Sequence, residues 1–321
     1  MNPVLKFLFG RPNNTVNLAQ SATHPECTNC GAALSGPYCS QCGQKKEDKN
    51  DFSISHFLGE TVHAFTHFDS KFFATIKYLV FKPGKLTQEF ILGHRKKFMH
   101  PLQLFLVVNI IYFLMLSSIP YLPVTFSTPL KYQMDNGWIN HSFGAKVNQK
   151  IKDLGITYKE YETEFNHRTE EQAKTLIIVM VPVFALLLAL FFAGQKRYFI
   201  EHLTFSFHFF SFILFFDSFG VLLIFGFYKI VSKISLLFGP IIHHSVNQFI
   251  NTLLTENNSS IMISILYLIY LMIGFQRVYS TSNVGGFFRA FVGVYCFWMI
   301  VFSYRALLFY TTFYGLRLSI H

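Results

Sequence analysis

Four of the five cysteines fall within one short stretch, as Cys27-Thr-Asn-Cys30-Gly31 and Cys39-Ser-Gln-Cys42-Gly43, with eight residues between Cys30 and Cys39. Two Cys-x-x-Cys pairs can close a tetrahedron of thiolates around one zinc ion. Each pair needs a tight turn that points backbone N–H groups at the sulfurs, and the glycine after it tolerates the positive φ such a turn requires. The expectation is a zinc ribbon holding one structural Zn2+. With four protein ligands the ion keeps no open position for catalysis. Disulfides are the competing reading, disfavoured if this segment faces a reducing cytoplasm. The fifth cysteine, Cys296, sits in an apolar segment and reads as a small core residue.

A second constellation is His56, Glu60, His63 and His67, with Asp69 just beyond. At about 100° per residue these side chains share one face of a helix. Imidazole and carboxylate at this spacing can share a metal ion, although a polar interfacial face would also carry them. Glu201 and His202, expected on the same side of a membrane, could join that set. Within apolar segments, ionisable residues are expensive. Asp217 and Arg305 are expected at similar depths, as an intramembrane pair. His208, on another face, reads as a hydrogen-bonded core histidine.

These residues sit in a chain of 321 residues that is 51% hydrophobic and 18% aromatic, with 40 phenylalanines and only 14% charged residues. Soluble domains carry about 25% charged residues, so an ordinary soluble enzyme is excluded and a polytopic membrane protein is indicated. Apolar runs from Pro101 to Ile119, Lys174 to Ala193, Leu203 to Tyr228, Ile261 to Phe275 and Gly286 to Tyr310 give five expected spans, within a range of four to six. Of 27 basic residues, 12 lie in residues 1–100, including Arg95, Lys96 and Lys97 just before the first span. By the positive-inside rule the N-terminus is cytoplasmic and the C-terminus extracytoplasmic. The net charge of +10 therefore marks orientation and does not imply nucleic acid. The segment MNPVLKFLFGRPNN lacks an adequate apolar core and cleavage site for a signal peptide.

Between the cysteines and the first span, residues 53–68, 70–81 and 85–92 carry amphipathic helical patterns, the last two separated by Pro83-Gly84 and the last stopped by Gly93. Basic, Phe-rich helices next to a span are expected at the inner leaflet. No internal repeat is read, and there is no phosphate-binding glycine loop, His-Glu-x-x-His or Gly-x-Ser-x-Gly.

Further residues form a longer pattern: Cys27-x2-Cys30-Gly31, Gly36-x-Tyr38-Cys39-Ser40-x-Cys42-Gly43-Gln44, Phe52-x3-His56, His63-Ala64-Phe65-Thr66-His67-x-Asp69, Lys82-Pro83-Gly84-Lys85, and Gly93-x-Arg95-Lys96-x-Phe98-x2-Pro101-Leu102-x-Leu104-Phe105. Over residues 24–115 this resembles a family of uncharacterised bacterial membrane proteins, common in the Bacteroidetes and classified only as a domain of unknown function. The resemblance implies a zinc-ribbon-like head before a multi-span domain in a bacterial inner membrane. It implies no activity.

The expected architecture is an all-α polytopic membrane protein: a tail at 1–23, a zinc ribbon at 24–46, cytoplasmic amphipathic helices at 52–100, and a membrane domain at 101–321 with an extracytoplasmic loop at 120–173. The expected function is a non-enzymatic scaffold that contacts the lipid bilayer and binds a protein partner through its cytoplasmic head. The alternatives are a metal-dependent enzyme acting on a lipid or lipid-linked substrate through His56, Glu60, His63, His67, Glu201 and His202, and a transporter using Asp217, Arg305 and His208.

Overall fold

The computed structural model describes residues 25–46, 69–118, 126, 129–135, 141–239, 243–245, 247–248, 252 and 256–316. The tail at 1–23, the helix expected at 53–68, and with it His56, Glu60, His63 and His67, lie outside the described residues. The helices are α1 (Asp69–Phe81), α2 (Lys85–Ile91), α3 (Pro101–Ser118), α4 (Leu130–Asp135), α5 (His141–Leu154), α6 (Tyr158–Leu176), α7 (Met180–Phe191), α8 (Phe199–Phe215), α9 (Val221–Leu236), α10 (Glu256–Tyr279) and α11 (Asn283–Gly315). A 3-10 turn joins α6 to α7, and a π-helical turn, Phe216–Gly220, joins α8 to α9. Among the described residues there is no strand, only two isolated β-bridges in the cysteine head.

Among the described residues, four helical stretches are long and apolar enough to cross a membrane: Tyr158–Phe191, Phe199–Gly220, Ser260–Tyr279 and Asn283–Gly315. The first expected span is a shorter apolar helix, Pro101–Met115. That window is about 22 Å long at about 1.5 Å per residue, less than a hydrocarbon core of about 30 Å, while the whole of α3 runs on to Ser118. Among the described residues the count is thus four, with α3 as a shorter apolar helix. Exposed stripes such as Val179, Val183, Leu186 and Leu190, or Ile261, Ile265 and Ile269, recur every three to four residues. Apolar stripes of this extent suit lipid better than water.

The chain divides into two compact units, residues 1–122 with 181–295, and residues 123–180 with 296–321. In the first, α8 is the central helix: 83% of its apolar window is buried, against 39% for the Ser260–Tyr279 stretch. Its phenylalanines explain the tight packing. Phe207 meets Phe105 of α3 at 5.6 Å, Phe209 stacks on Phe184 of α7 at 5.2 Å, and Phe212 stacks on Tyr270 of α10 at 4.0 Å. Two hydrogen bonds join α8 and its π-turn to α10. His202 Nδ1 bonds the Tyr279 hydroxyl at 2.9 Å, and the Tyr267 hydroxyl donates to Asp217 Oδ1 at 3.0 Å.

Helix α2 has Leu86, Thr87 and Phe90 buried and packs against α8 and α10. Protein therefore covers its apolar face. The turn before it makes this possible. Gly84 has φ 75°, and a Cβ there would lie 2.8 Å from Gly274 Cα of α10. Arg277 of α10 donates to the Pro83 carbonyl at 2.8 Å, and Thr87 Oγ1 bonds His208 Nδ1 of α8 at 2.8 Å. His208 is thus a hydrogen-bonded core histidine, as its type and position predict.

The second unit shows that the expected extracytoplasmic loop contains helices. Leu130, Val147, Tyr161 and Phe165 share a core with Phe309, Phe313 and Leu316 from α11 and its end. Thr157 and Glu160 cap α6 reciprocally. The Tyr304 hydroxyl donates to the Ala173 carbonyl at 3.0 Å, and Lys150 donates to the Phe313 carbonyl. Burial pulls the Lys150 pKa below its ordinary value.

Candidate metal centre

The cysteine head is two copies of one turn. Cys27 N–H donates to Ala32 O and Gly31 N–H to Cys27 O, each at 2.8 Å. Twelve residues on, Cys39 N–H donates to Gln44 O and Gly43 N–H to Cys39 O, again at 2.8 Å. The bridges Glu26–Ala33 and Tyr38–Lys45 carry the same offset. Gly31 and Gly43 take φ 74° and 68°, the left-handed conformation that their position after each pair predicts. The aligned residues, Pro25-x-Cys27-Thr28-Asn29-Cys30-Gly31 and Pro37-x-Cys39-Ser40-Gln41-Cys42-Gly43, are a short tandem repeat that the sequence reading missed. A period of twelve residues escapes a search for periods of roughly 20–50.

The turns bring all four sulfurs within 4.8 Å of one another, the only such group of three or more ligating residues among the described residues. Cys27 Sγ lies 3.6 Å from Cys42 Sγ, and Cys30 Sγ 3.5 Å from Cys39 Sγ. These separations are well beyond a disulfide bond of about 2.05 Å. They approach the edge of about 3.8 Å expected for four sulfurs held at about 2.3 Å from a tetrahedral ion. The donor set therefore fits a metal that prefers thiolates.

Electrostatics points the same way. The Cys42 backbone N–H, chief among the groups that hydrogen-bond its sulfur, draws the Cys39 pKa down to about 6. Cys42 is lowered, foremost by the Gln44 backbone N–H. For Cys30, a hydrogen bond from the Ala32 backbone lowers the pKa, but desolvation and the three neighbouring sulfurs outweigh it and push it up to about 12. Four thiolates at this spacing repel one another, and a cation at their centre removes the conflict. Cys27 and Cys39 are buried while Cys30 is exposed, so the centre is open to solvent on the Cys30 side.

Gln44 fixes the head to the helices of the same unit. Its side chain, 5% exposed, donates to the Gly93 carbonyl at 2.7 Å and to Thr28 Oγ1 at 3.0 Å. It thereby ties the second turn both to the first and to the loop that ends α2. Gly93 has φ 89°, consistent with its expected role as the stop of that helix. Each of these bonds contributes about 0.5–1.5 kcal/mol. The Gln44→Ala variant should therefore dock the head more weakly by about 0.5–1.5 kcal/mol, and loosen the contact between its two turns by a similar amount. Hydrogen exchange should show faster exchange at residues 27–45 and unchanged protection in α8.

Of the other expected site residues, His56, Glu60, His63 and His67 lie outside the described residues, and the rest have the following partners. Glu201 pairs with Arg197 Nη1 at 2.5 Å and accepts from the Tyr198 backbone N–H at 3.3 Å, capping the start of α8. Arg197 also donates to the Val278 carbonyl at 2.5 Å. His202 is engaged by Tyr279, whose ring stacks on Phe192 at 3.8 Å. Asp217 is buried and belongs to the first unit, whereas Arg305 belongs to the second, so neither unit by itself contains the expected pair. Arg197 and Tyr279 are structurally important residues that sequence reasoning passed over. The pattern Arg197-Tyr198-x2-Glu201, a cation four residues ahead of an acid at a helix start, was the available signal.

No curated protein and no solved structure matches this chain. The family described as "Protein of unknown function (DUF3667)" matches residues 69–113, which run from α1 through the Pro83-Gly84 turn and the Gly93 docking loop into α3.

Proposed function

We propose that the protein is a non-enzymatic membrane scaffold of a bacterial inner membrane, whose zinc ribbon is held on the cytoplasmic face and presents a surface to a protein partner. The observation that carries this reading is the four-sulfur cluster, with every ligand position supplied by protein and the head docked through Gln44 to Gly93. Tetrathiolate sets favour zinc among the common divalent ions. The concentration of basic residues in 1–100 supports a cytoplasmic head. The enzyme reading is weakened at two members of its set, because Glu201 and His202 are committed to Arg197 and Tyr279.

The test is crosslinking and co-purification of the full chain from membranes, comparing wild type with a variant carrying Cys27→Ser, Cys30→Ser, Cys39→Ser and Cys42→Ser. A defined envelope partner recovered with wild type should fall at least about tenfold with the variant, a loss of roughly 1.4 kcal/mol or more in binding. An unchanged partner set would remove the head from the interaction surface.

A further inference from the structure

We propose that Asp217 is a proton-binding site within the membrane bundle, carrying its proton on Oδ2 as a neutral acid while Oδ1 accepts from Tyr267. The carboxyl is 2% exposed and lies in the π-helical turn Phe216–Gly220. Its one hydrogen bond is the 3.0 Å bond from the Tyr267 hydroxyl, and Oδ2 has no partner. An ionised carboxylate in an apolar interior requires several donors or a cation. A neutral acid requires far less.

Among the described residues, the packed elements supply no cation within this unit. Helix α3 carries no charged residue, and from it Tyr112 faces Tyr267. The charges of α10 are Glu256 and Arg277 at its two ends, and Arg277 is engaged by the Pro83 carbonyl. Beyond the π-turn, the first charged residue of α9 is Lys229, two to three turns along. Ser218 of the π-turn donates to the Leu214 carbonyl and Ser211 to the Phe207 carbonyl, so neither hydroxyl proton is turned toward Asp217. The aromatic packing of Phe212 on Tyr270 and on Phe216 closes the site on the α8 side.

π-Turns of this kind frequently mark functional positions. A proton held there would make the α8–α10 contact depend on the charge state of one carboxyl. This inference does not rest on the scaffold reading, and it gives the transporter alternative a concrete ion, the proton.

The experiment is infrared spectroscopy of the full chain in lipid nanodiscs at neutral pH, comparing wild type with Asp217→Asn, Tyr267→Phe and Arg305→Gln. The wild-type minus Asp217→Asn difference should contain the C=O band of one protonated carboxyl, which shifts on exchange into deuterium oxide. Tyr267→Phe retains the acid and should move that band to higher frequency, because one hydrogen bond is lost. Arg305→Gln should leave the band in place. Absence of the band at neutral pH overturns the proposal, because Asp217 would then be ionised and compensated by a cation, Arg305 included. A Tyr267→Phe band at the wild-type frequency overturns the hydrogen-bonded geometry on which it stands.

Discussion

Replacing any one of Cys27, Cys30, Cys39 and Cys42 by serine should lower the metal content of the purified full-length protein from about one ion per chain to less than about a tenth of that. Elemental analysis reads the result directly, and zinc is the metal expected. The reason lies in size. Among the described residues the buried core of the head is Cys27, Leu34 and Cys39, with Ala32 and Cys42 packed against it. Three of those five side chains are ligands, so little apolar surface remains to hold the turns once the metal is gone. A strong chelator should reproduce the loss, and limited proteolysis should then cut between residues 25 and 46 while α8 stays intact. Cys296→Ser should keep the full metal content, since that residue lies far along the chain in α11. A tetra-serine variant that retained one zinc per chain would place the metal elsewhere, with the His56, Glu60, His63 and His67 stripe as the next candidate.

Gly84→Ala should destabilise the membrane domain by about 2–5 kcal/mol, the sum of a left-handed residue carrying a Cβ and an overpacked contact. The added carbon would sit 2.8 Å from Gly274 Cα and 3.0 Å from Gly274 O. Both are backbone atoms, which cannot swing aside as a side chain would. Gly274 cannot retreat easily either, because its own missing Cβ faces the Phe205 ring at 2.9 Å. The expected consequence is displacement of α2, with loss of the Thr87–His208 and Arg277–Pro83 hydrogen bonds. Thermal or chemical unfolding in detergent measures the effect. Gly194→Ala is the control: nothing lies within 4 Å of its Cβ position, and its stability should stay within about 0.5 kcal/mol of wild type.

The pattern of chemistry-bearing residues in the sequence was most legible where local rules dominate. The Cys-x-x-Cys-Gly spacing led to two left-handed glycines and a four-sulfur cluster, because each turn is closed by hydrogen bonds within six residues. The end of α2 at Gly93 and the core role of His208 were likewise readable. Long-range choices were not. Amphipathicity located α2 but could not say whether lipid or protein covers its apolar face, a question decided by the Gly84–Gly274 contact across the chain. The segment 120–173 looked like a loop because its charges mask a four-residue stripe of Tyr161, Phe165, Thr169 and Ala173, all buried in α6. That stripe runs on into the second expected span, so the helical stretch begins at Tyr158, well before Lys174.

The tandem turns of the head also set an order of events during synthesis. Their widest cysteine pairing, Cys27 with Cys42, spans 15 residues, whereas Gln44 must wait 49 residues for Gly93. At about 5–20 residues per second, that interval is roughly 2–10 s. All four cysteines are thus made before the docking loop and the apolar helices that follow it. The bond that anchors the head, Gln44 to Gly93, can form only after both cysteine turns have been made.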